Sequence, residues 1–141
     1  MRVLVIFAHP LEDSYGAALR DVVIQSLEGG GHTIDLCDLY REAFDPVLSV
    51  RERQTYRNTA SNFANVTEHV HRLQQAEGVV FVFPSWWYGV PAILKGYLDR
   101  VWLPGVAFDF GPQAIIPLLT NIRLFGVVRR RARLSGSRDF M

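Results

Sequence analysis

The 141-residue chain has few of the features that mark secreted, membrane-spanning or nucleic-acid-binding proteins. Its single cysteine, Cys37, excludes an intrachain disulfide and suits a reducing compartment. The apolar run at residues 3–8 is too short to span a membrane and lacks a signal cleavage pattern. We therefore expect a cytoplasmic protein without a membrane span.

The main body of the chain also lacks excess positive charge. The formal net charge is +1, but residues 129–141 contribute +4, so residues 1–128 carry −3. This balance argues against the broad basic surface that binds nucleic acid. We expect no nucleic-acid partner, a single domain over residues 1–128, and a basic, disordered tail over residues 129–141.

What the chain does have is an alternation of strand and helix patterns, in a composition that is 49% hydrophobic. Apolar or alternating runs predict four strands, at residues 3–8, 33–38, 78–83 and 123–128. Helical spacing predicts helices at residues 14–27, 66–76 and 91–102, with only short helical pieces between residues 40 and 64. This order predicts an α/β fold: a doubly wound parallel sheet of four strands in the order 2-1-3-4.

Two loops carry the unusual residues, 9–16 after the first strand and 84–90 after the third. In the order 2-1-3-4, strands one and three are neighbours, so these loops face each other where the strand order reverses. Ligands of open α/β sheets bind at that point.

The first loop leads into a helix N-terminus, which favours an anion such as a phosphate. His9 offers a donor, Ser14 a hydroxyl and Gly16 room for a close approach. The loop matches neither of the two common glycine-rich phosphate-binding motifs. The alternative is that His9 and Pro10 form an ordinary turn and that Ser14 only caps the helix.

The second loop has three consecutive aromatic residues, Trp86, Trp87 and Tyr88. Consecutive side chains cannot all enter one core, so at least one should line a cleft and could flank a flat conjugated ring. The alternative is that they pack beneath neighbouring helices.

No pattern in the sequence indicates a metal site. His69 and His71 are two apart on a predicted helix, so they face different sides, and we expect both at the surface. Cys37 is expected to be a small buried apolar group.

Several stretches together resemble the NAD(P)H:quinone oxidoreductase family of the flavodoxin-like fold, over residues 1 to about 128. They are His9-Pro10, Ser14 to Leu19, Asp38 to Tyr40, Phe44 to Leu48 and, most specifically, Phe83 to Arg100. The resemblance implies bound FAD or FMN, NAD(P)H as co-substrate, a quinone-like acceptor, a ping-pong mechanism and a homodimer.

The resemblance also implies roles for individual residues. It places one group at the flavin's phosphates and ribityl chain: His9, Ser14, Tyr15 and Gly16. It places a second group around the isoalloxazine ring: Pro84, Ser85, Trp86, Trp87 and Tyr88, the last two also in the acceptor pocket. The hydride step needs no side-chain acid or base, so no catalytic residue is predicted.

The chain departs from that family after the fourth strand, where the family usually has a Thr-Thr-Gly-Gly or Thr-Thr-Tyr-Gly loop and a fifth strand. Here Val128 leads directly into an arginine-rich segment. We therefore expect the fifth strand to be missing and residues 129–141 to reflect a shifted reading frame or a shortened gene. A genuine basic tail is the alternative.

Three other functions remain open at this point. An electron carrier such as flavodoxin is disfavoured by the sequence pI of 8.0, because such carriers are usually acidic. The others are a regulatory flavin-binding subunit of a membrane transport system and an incomplete, inactive domain.

Overall fold

The computed structural model describes the backbone of residues 1–131 and the side chains of residues 1–129. The described residues form six strands: β1 (Arg2–Phe7), β2 (Thr33–Asp38), β3 (Gly78–Ser85), β4 (Phe108–Phe110), β5 (Ile115–Pro117) and β6 (Leu124–Arg131). Within the same residues 1–131 lie four helices: α1 (Tyr15–Gly29), α2 (Val50–Thr55), α3 (Thr67–Gln75) and α4 (Ala92–Val101). No helix within residues 1–131 is long and apolar enough to cross a membrane.

Four strands form one parallel sheet in the order β2-β1-β3-β6. The central strand β1 pairs Phe7 with Asp38 of β2 on one side and with Val82 of β3 on the other. The chain therefore runs outward from β1 to β2 and then returns to the opposite side of β1 as β3. The predicted strand order is confirmed, with β6 in the fourth position.

Both faces of the sheet are covered by helices, because the inner strands alternate their side chains between two cores. One core joins β1 and β3 to α1, with Val3, Val5, Phe7, Val80, Val82 and Ala17 buried. The other joins the sheet to α3 and α4, and includes Leu4, Ile6, Cys37, Phe81, Leu73 and Tyr97. A strand buried on both faces needs an apolar residue at every position, which explains the unbroken runs.

The C-terminal ends of the neighbouring strands β3 and β6 both lie further along the chain than predicted. β3 continues through Pro84 and Ser85, which were expected to lie in a loop, and β6 continues to Arg131 rather than ending at Val128. The reason is that Arg129–Arg131 pair in parallel register with Phe83–Ser85. The first three residues of the expected tail thus belong to the sheet, and residues 132–141 lie outside the described residues.

The short antiparallel pair β4 and β5 was not predicted. Each strand has only three residues, which is too few to reveal a periodic pattern. At the edge of the parallel sheet, β6 exposes about half of the side chains of Phe125 and Val127. An apolar edge of this kind is a surface at which chains can associate.

Candidate functional site

The predicted juxtaposition of the two loops is present at the carboxyl ends of β1 and β3. The Ala8 N–H donates to the Val82 carbonyl at 3.1 Å, which keeps the strands paired to the edge of the sheet. The next residues on each side bring the His9 and Trp86 rings together, with centroids 5.8 Å apart. The point where the strand order reverses is therefore flanked by an imidazole and an indole.

The first loop is held by its own hydrogen bonds. The Nδ1 atom of His9 accepts from the Leu11 N–H at 3.1 Å, which leaves the ring proton on Nε2. The hydroxyl oxygen of Ser14 accepts from the Ala17 N–H at 3.1 Å, so Ser14 caps α1, the role that the alternative interpretation gave it. The helical ladder starts with Ala18, whose N–H donates to the Ser14 carbonyl.

The first turn of α1 lies directly against His9. A Cβ atom at Gly16 would make a tight contact of 3.3 Å with His9 Cδ2 and an ordinary contact of 3.5 Å with the Ser14 hydroxyl, so a side chain there would press on His9. The N–H groups of Tyr15 and Gly16 precede the first intrahelical donor, at the end of α1 where the helix dipole is positive. The Tyr15 ring itself is more than half exposed.

Residues 86–89 form a tight reversal that we call the aromatic turn. Trp86 and Gly89 exchange two backbone hydrogen bonds of 3.2 and 3.0 Å across it. The central residues, Trp87 and Tyr88, have φ angles of 49° and 62°. Such left-handed conformations cost side-chain-bearing residues roughly 1–2 kcal/mol each, so the aromatic turn is strained.

The strained conformation turns two large rings outward. Trp87 is 97% exposed and Tyr88 83% exposed, whereas Trp86 is 41% exposed beside His9. The alternative that all three aromatics pack beneath helices is therefore wrong for Trp87 and Tyr88. Pro84 and Ser85 are half-buried in β3 rather than in the loop.

An open cleft of about 560 Å³ lies beside His9, on the β2 side of β1. It is lined by His9, Pro10, Glu12, Asp38, Tyr40 and Arg41. His9, Pro10 and Glu12 come from the predicted loop, whereas Asp38, Tyr40 and Arg41 reach the cleft because β2 pairs with β1. The signal available beforehand was the strand end at Asp38, which parallel order places at the same edge of the sheet.

A fixed positive charge lies close to this cleft. The side chain of Arg20 on α1 pairs with Glu12 at 3.0 Å and Asp21 at 2.9 Å, and lies 3.8 Å from the buried Asp38. Its guanidinium stacks over the Phe7 ring at 4.7 Å. Burial lowers the pKa of Arg20, but the hydrogen bonds that Arg20 donates to Asp21 and Glu12 outweigh burial and raise it.

The chain is similar in sequence to curated oxidoreductases. The chain is 39% identical to an uncharacterised NAD(P)H oxidoreductase of Haemophilus influenzae, over 86% of this chain and 60% of that protein. It is 34% identical to the ribosyldihydronicotinamide dehydrogenase (quinone) of Pongo abelii, over 77% of this chain and 54% of that protein. The chain thus spans little more than half the length of these curated relatives.

A solved structure of an oxidoreductase has a similar fold. The NAD(P)H:quinone oxidoreductase of Methanothermobacter marburgensis superposes with a TM-score of 0.84 at 31% identity, covering 92% of this chain and 66% of that one. A sequence model of the family described as flavodoxin-like fold matches residues 1–134. The chain belongs to the flavodoxin-like fold family.

Proposed function

We propose that this chain is the flavin-binding domain of an NAD(P)H-dependent oxidoreductase that passes hydride to a quinone-like acceptor. The observation that carries the proposal is the aromatic turn. It holds Trp87 and Tyr88 in a strained conformation with their rings almost fully exposed. Through Trp86 it also contacts His9 of the loop that precedes α1. Strain and exposed aromatic surface both destabilise a free domain, so a ligand that covers the rings would account for them.

The loop at the start of α1 fits the phosphate end of FMN or FAD. The Gly16 N–H lies in the first turn of α1 and the Nε2–H of His9 in the loop before it, while Ser14 caps the helix terminus. Because a side chain at position 16 would press on His9, the glycine keeps this space open for a phosphate.

The aromatic turn fits the ring end of the flavin. Trp86 lies against His9, and Trp87 and Tyr88 extend the apolar surface outward from the sheet. Pro84 and Ser85 are held in β3 by pairing with β6, so the base of the turn is fixed. A rigid base with exposed aromatic rings suits a flat conjugated group and, above it, a second flat substrate.

When bound, a flavin supplies the redox chemistry by accepting hydride from NAD(P)H and releasing two electrons to the acceptor. The side chains bind and orient, and none is required to move a proton in the hydride step. Trp87 and Tyr88 would bound the face that nicotinamide and acceptor occupy in succession, which gives ping-pong kinetics. The quinone-like acceptor is proposed from the names of the relatives.

A homodimer is part of this proposal. Large apolar side chains stand exposed on the edge strand β6, namely Phe125 and Val127, and on the β4–β5 pair, namely Phe110, Ile115 and Ile116. A second copy could cover part of this surface. Sedimentation across a range of concentrations would detect the dimer.

Flavin titration tests the proposal. FMN or FAD added to the purified chain should show a perturbed absorption spectrum and quenched fluorescence, and Trp87→Ala should weaken binding by about 1–3 kcal/mol. Lys95→Ala, on the exposed surface of α4, is the control and should bind flavin normally. Absence of binding at millimolar flavin would refute the proposal.

A further inference from the structure

Three side chains with metal-binding atoms meet on the sheet face opposite α1. They are Cys37 at the end of β2, Glu42 in the turn that follows, and His69 on α3. Cys37 Sγ lies 3.7 Å from Glu42 Oε2 and 3.7 Å from His69 Nδ1, and the last two atoms are 4.0 Å apart. Because the three come from separate segments, their sequence spacing does not reveal the cluster.

The expectation that His69 is a surface residue is wrong. Its ring meets the Phe44 ring edge-on, with centroids 4.9 Å apart, and the Tyr97 ring at 5.9 Å, both at an interplanar angle of 90°. These contacts fix the ring plane and direct Nδ1 toward Cys37. His71, two residues along the same helix, is exposed and takes no part in the cluster.

The three separations are close to those of a tetrahedral zinc site. Zinc bonds of about 2.3 Å to sulfur and about 2.0–2.1 Å to nitrogen or oxygen separate the ligand atoms by roughly 3.3–3.6 Å at tetrahedral angles. The two separations from Cys37 Sγ exceed the tetrahedral value by about 0.1–0.2 Å, and the Glu42–His69 separation of 4.0 Å exceeds it by about 0.6 Å. Binding would therefore draw the Glu42 carboxylate toward His69.

The surrounding charges also suit a divalent cation. Arg72 donates through Nη1 to both oxygens of Glu42 at 3.0 Å, and through Nε and Nη2 to Asp35 Oδ1. Once Cys37 has lost its proton on binding a metal, the charges of Cys37, Glu42, Asp35 and Arg72 together sum to −2. Arg72 therefore orients the Glu42 carboxylate, and its Oε1 atom can stay on Arg72 while Oε2 binds a metal.

A buried tyrosine lies beside His69. Tyr97 is fully buried, its ring centroid is 5.9 Å from that of His69, and its hydroxyl has no hydrogen-bond partner among the described residues. Buried hydroxyls in native proteins are nearly always paired, so a solvent molecule held by a metal in this core would also give Tyr97 a partner.

We propose that Cys37, Glu42 and His69 bind a zinc ion through Sγ, Oε2 and Nδ1, with a solvent molecule in the fourth position and within reach of Tyr97. Thiolate, imidazole and carboxylate are the ligands that zinc takes in proteins. Binding forms a Zn–S bond, breaks the S–H bond of Cys37 and releases that proton to solvent. Glu42 and His69, with side chains 32% and 16% exposed, provide the way in.

This zinc site is separate from the proposed flavin site. Cys37 and Asp38 are successive strand residues, so Cys37 enters the α3–α4 core while Asp38 faces Arg20 and the cleft. The ion would fasten the end of β2 to α3 and to the turn that bears Tyr40 and Arg41, both lining the cleft. The ion would stabilise the turn after β2 and would take no part in a reaction.

Cobalt binding tests this proposal. The full chain, reduced and stripped of metal by a chelator, should bind one equivalent of Co²⁺ at micromolar concentration. The complex should show visible ligand-field bands and a near-ultraviolet thiolate-to-cobalt band, and Zn²⁺ should abolish both. Zn²⁺ should also raise the midpoint of thermal unfolding.

Matched variants locate the site. Cys37→Ser should remove the thiolate band and the thermal shift, and His69→Gln and Glu42→Gln should weaken Co²⁺ binding about tenfold or more. His71→Gln on the same helix should bind as the unmodified chain does. Absence of a thiolate band in the unmodified chain, or equal losses in the His69 and His71 variants, would overturn the proposal.

Discussion

The aromatic turn and the buried pair of Arg100 and Glu52 are opposites within one fold. In the aromatic turn, two large rings are held outward in a left-handed conformation. The buried pair joins residues 48 apart in sequence: Arg100 Nε and Nη2 donate to Glu52 Oε1 at 3.0 and 2.6 Å, with both side chains at most 10% exposed. The aromatic turn is strained and exposes two rings, whereas the buried pair stabilises the contact between the α2 segment and α4.

Both members of the buried pair make further hydrogen bonds besides those to each other. Glu52 closes the capping box of α2 with Ser49, accepting from its N–H at 2.8 Å. Arg100 also donates to the Asp45 carbonyl and lies over the Phe44 ring. It therefore fastens the segment around α2 to α4. Among the described residues, the aromatic turn is supported by its two backbone hydrogen bonds, by the contact of Trp86 with His9 and by the pairing of β3 with β6 at its base.

The largest effect should come from breaking the buried pair. Arg100→Met leaves the Glu52 carboxylate buried without its cation, which should lower the free energy of unfolding by about 3–5 kcal/mol in urea denaturation. Lys95→Ala, which removes an exposed ion pair with Asp99 on the same helix, should cost only about 0.3–0.5 kcal/mol. Equal losses in both variants would mean that the buried pair has no special weight.

Acid should weaken the same pair by protonation. Burial raises the pKa of Glu52, but the hydrogen bonds from Ser49 and Arg100 outweigh burial and lower it from 4.5 to about 2. The folded state thus binds this proton less readily than the unfolded chain. The pair's contribution should be complete above pH 4.5 and should be lost as the pH falls toward 2.

Urea unfolding across that pH range measures the loss. Glu52→Gln has no carboxylate to titrate, so its stability should change less with pH over the same interval. If the two proteins showed the same pH dependence, other carboxylates would be responsible and the role assigned to Glu52 would be wrong.

In the proposed flavin site, His9 should contribute to the binding of the flavin's phosphate and not to the binding of its ring. If its Nε2–H donates to a flavin phosphate, His9→Ala should weaken FMN binding by about 1.5–3 kcal/mol, the range for a hydrogen bond to a charged group. Riboflavin has no phosphate, so its affinity should stay nearly unchanged. Equal losses for FMN and riboflavin in fluorescence titrations would mean that His9 only shapes the turn at Leu11.

The sequence predicted the parts of this fold that depend on local pattern. The apolar runs of β1 and β3 identify buried strands, and an alternation of strands and helices leads to the parallel order found. The same reasoning could place His9 and Trp86 on neighbouring strand ends. It also anticipated that some aromatic residues of the second loop would face outward.

What the sequence did not predict depends on pairing over long distances or on backbone conformation. The extension of β6 to Arg131 follows from pairing with β3, since an arginine run has no strand pattern. The contacts of Arg100 with Glu52 and of Cys37 with His69 join residues that are far apart in sequence, so they form only when the chain folds. The left-handed φ angles of Trp87 and Tyr88 are disfavoured for these residue types, so local preference argues against the turn that is observed.

The smallest expected effect separates strain from binding at Tyr88. Tyr88→Gly and Tyr88→Ala both remove the ring, so both should weaken flavin binding to a similar extent. Only glycine accepts the φ angle of 62° without strain, which should favour it by about 1–2 kcal/mol, while its greater freedom in the unfolded chain costs about 0.5–1 kcal/mol. The glycine variant should therefore unfold at higher urea than the alanine variant by a margin of roughly 0.5–1 kcal/mol. If alanine were equally stable, Tyr88 would carry no strain, and the contrast between the aromatic turn and the buried pair would reduce to exposure alone.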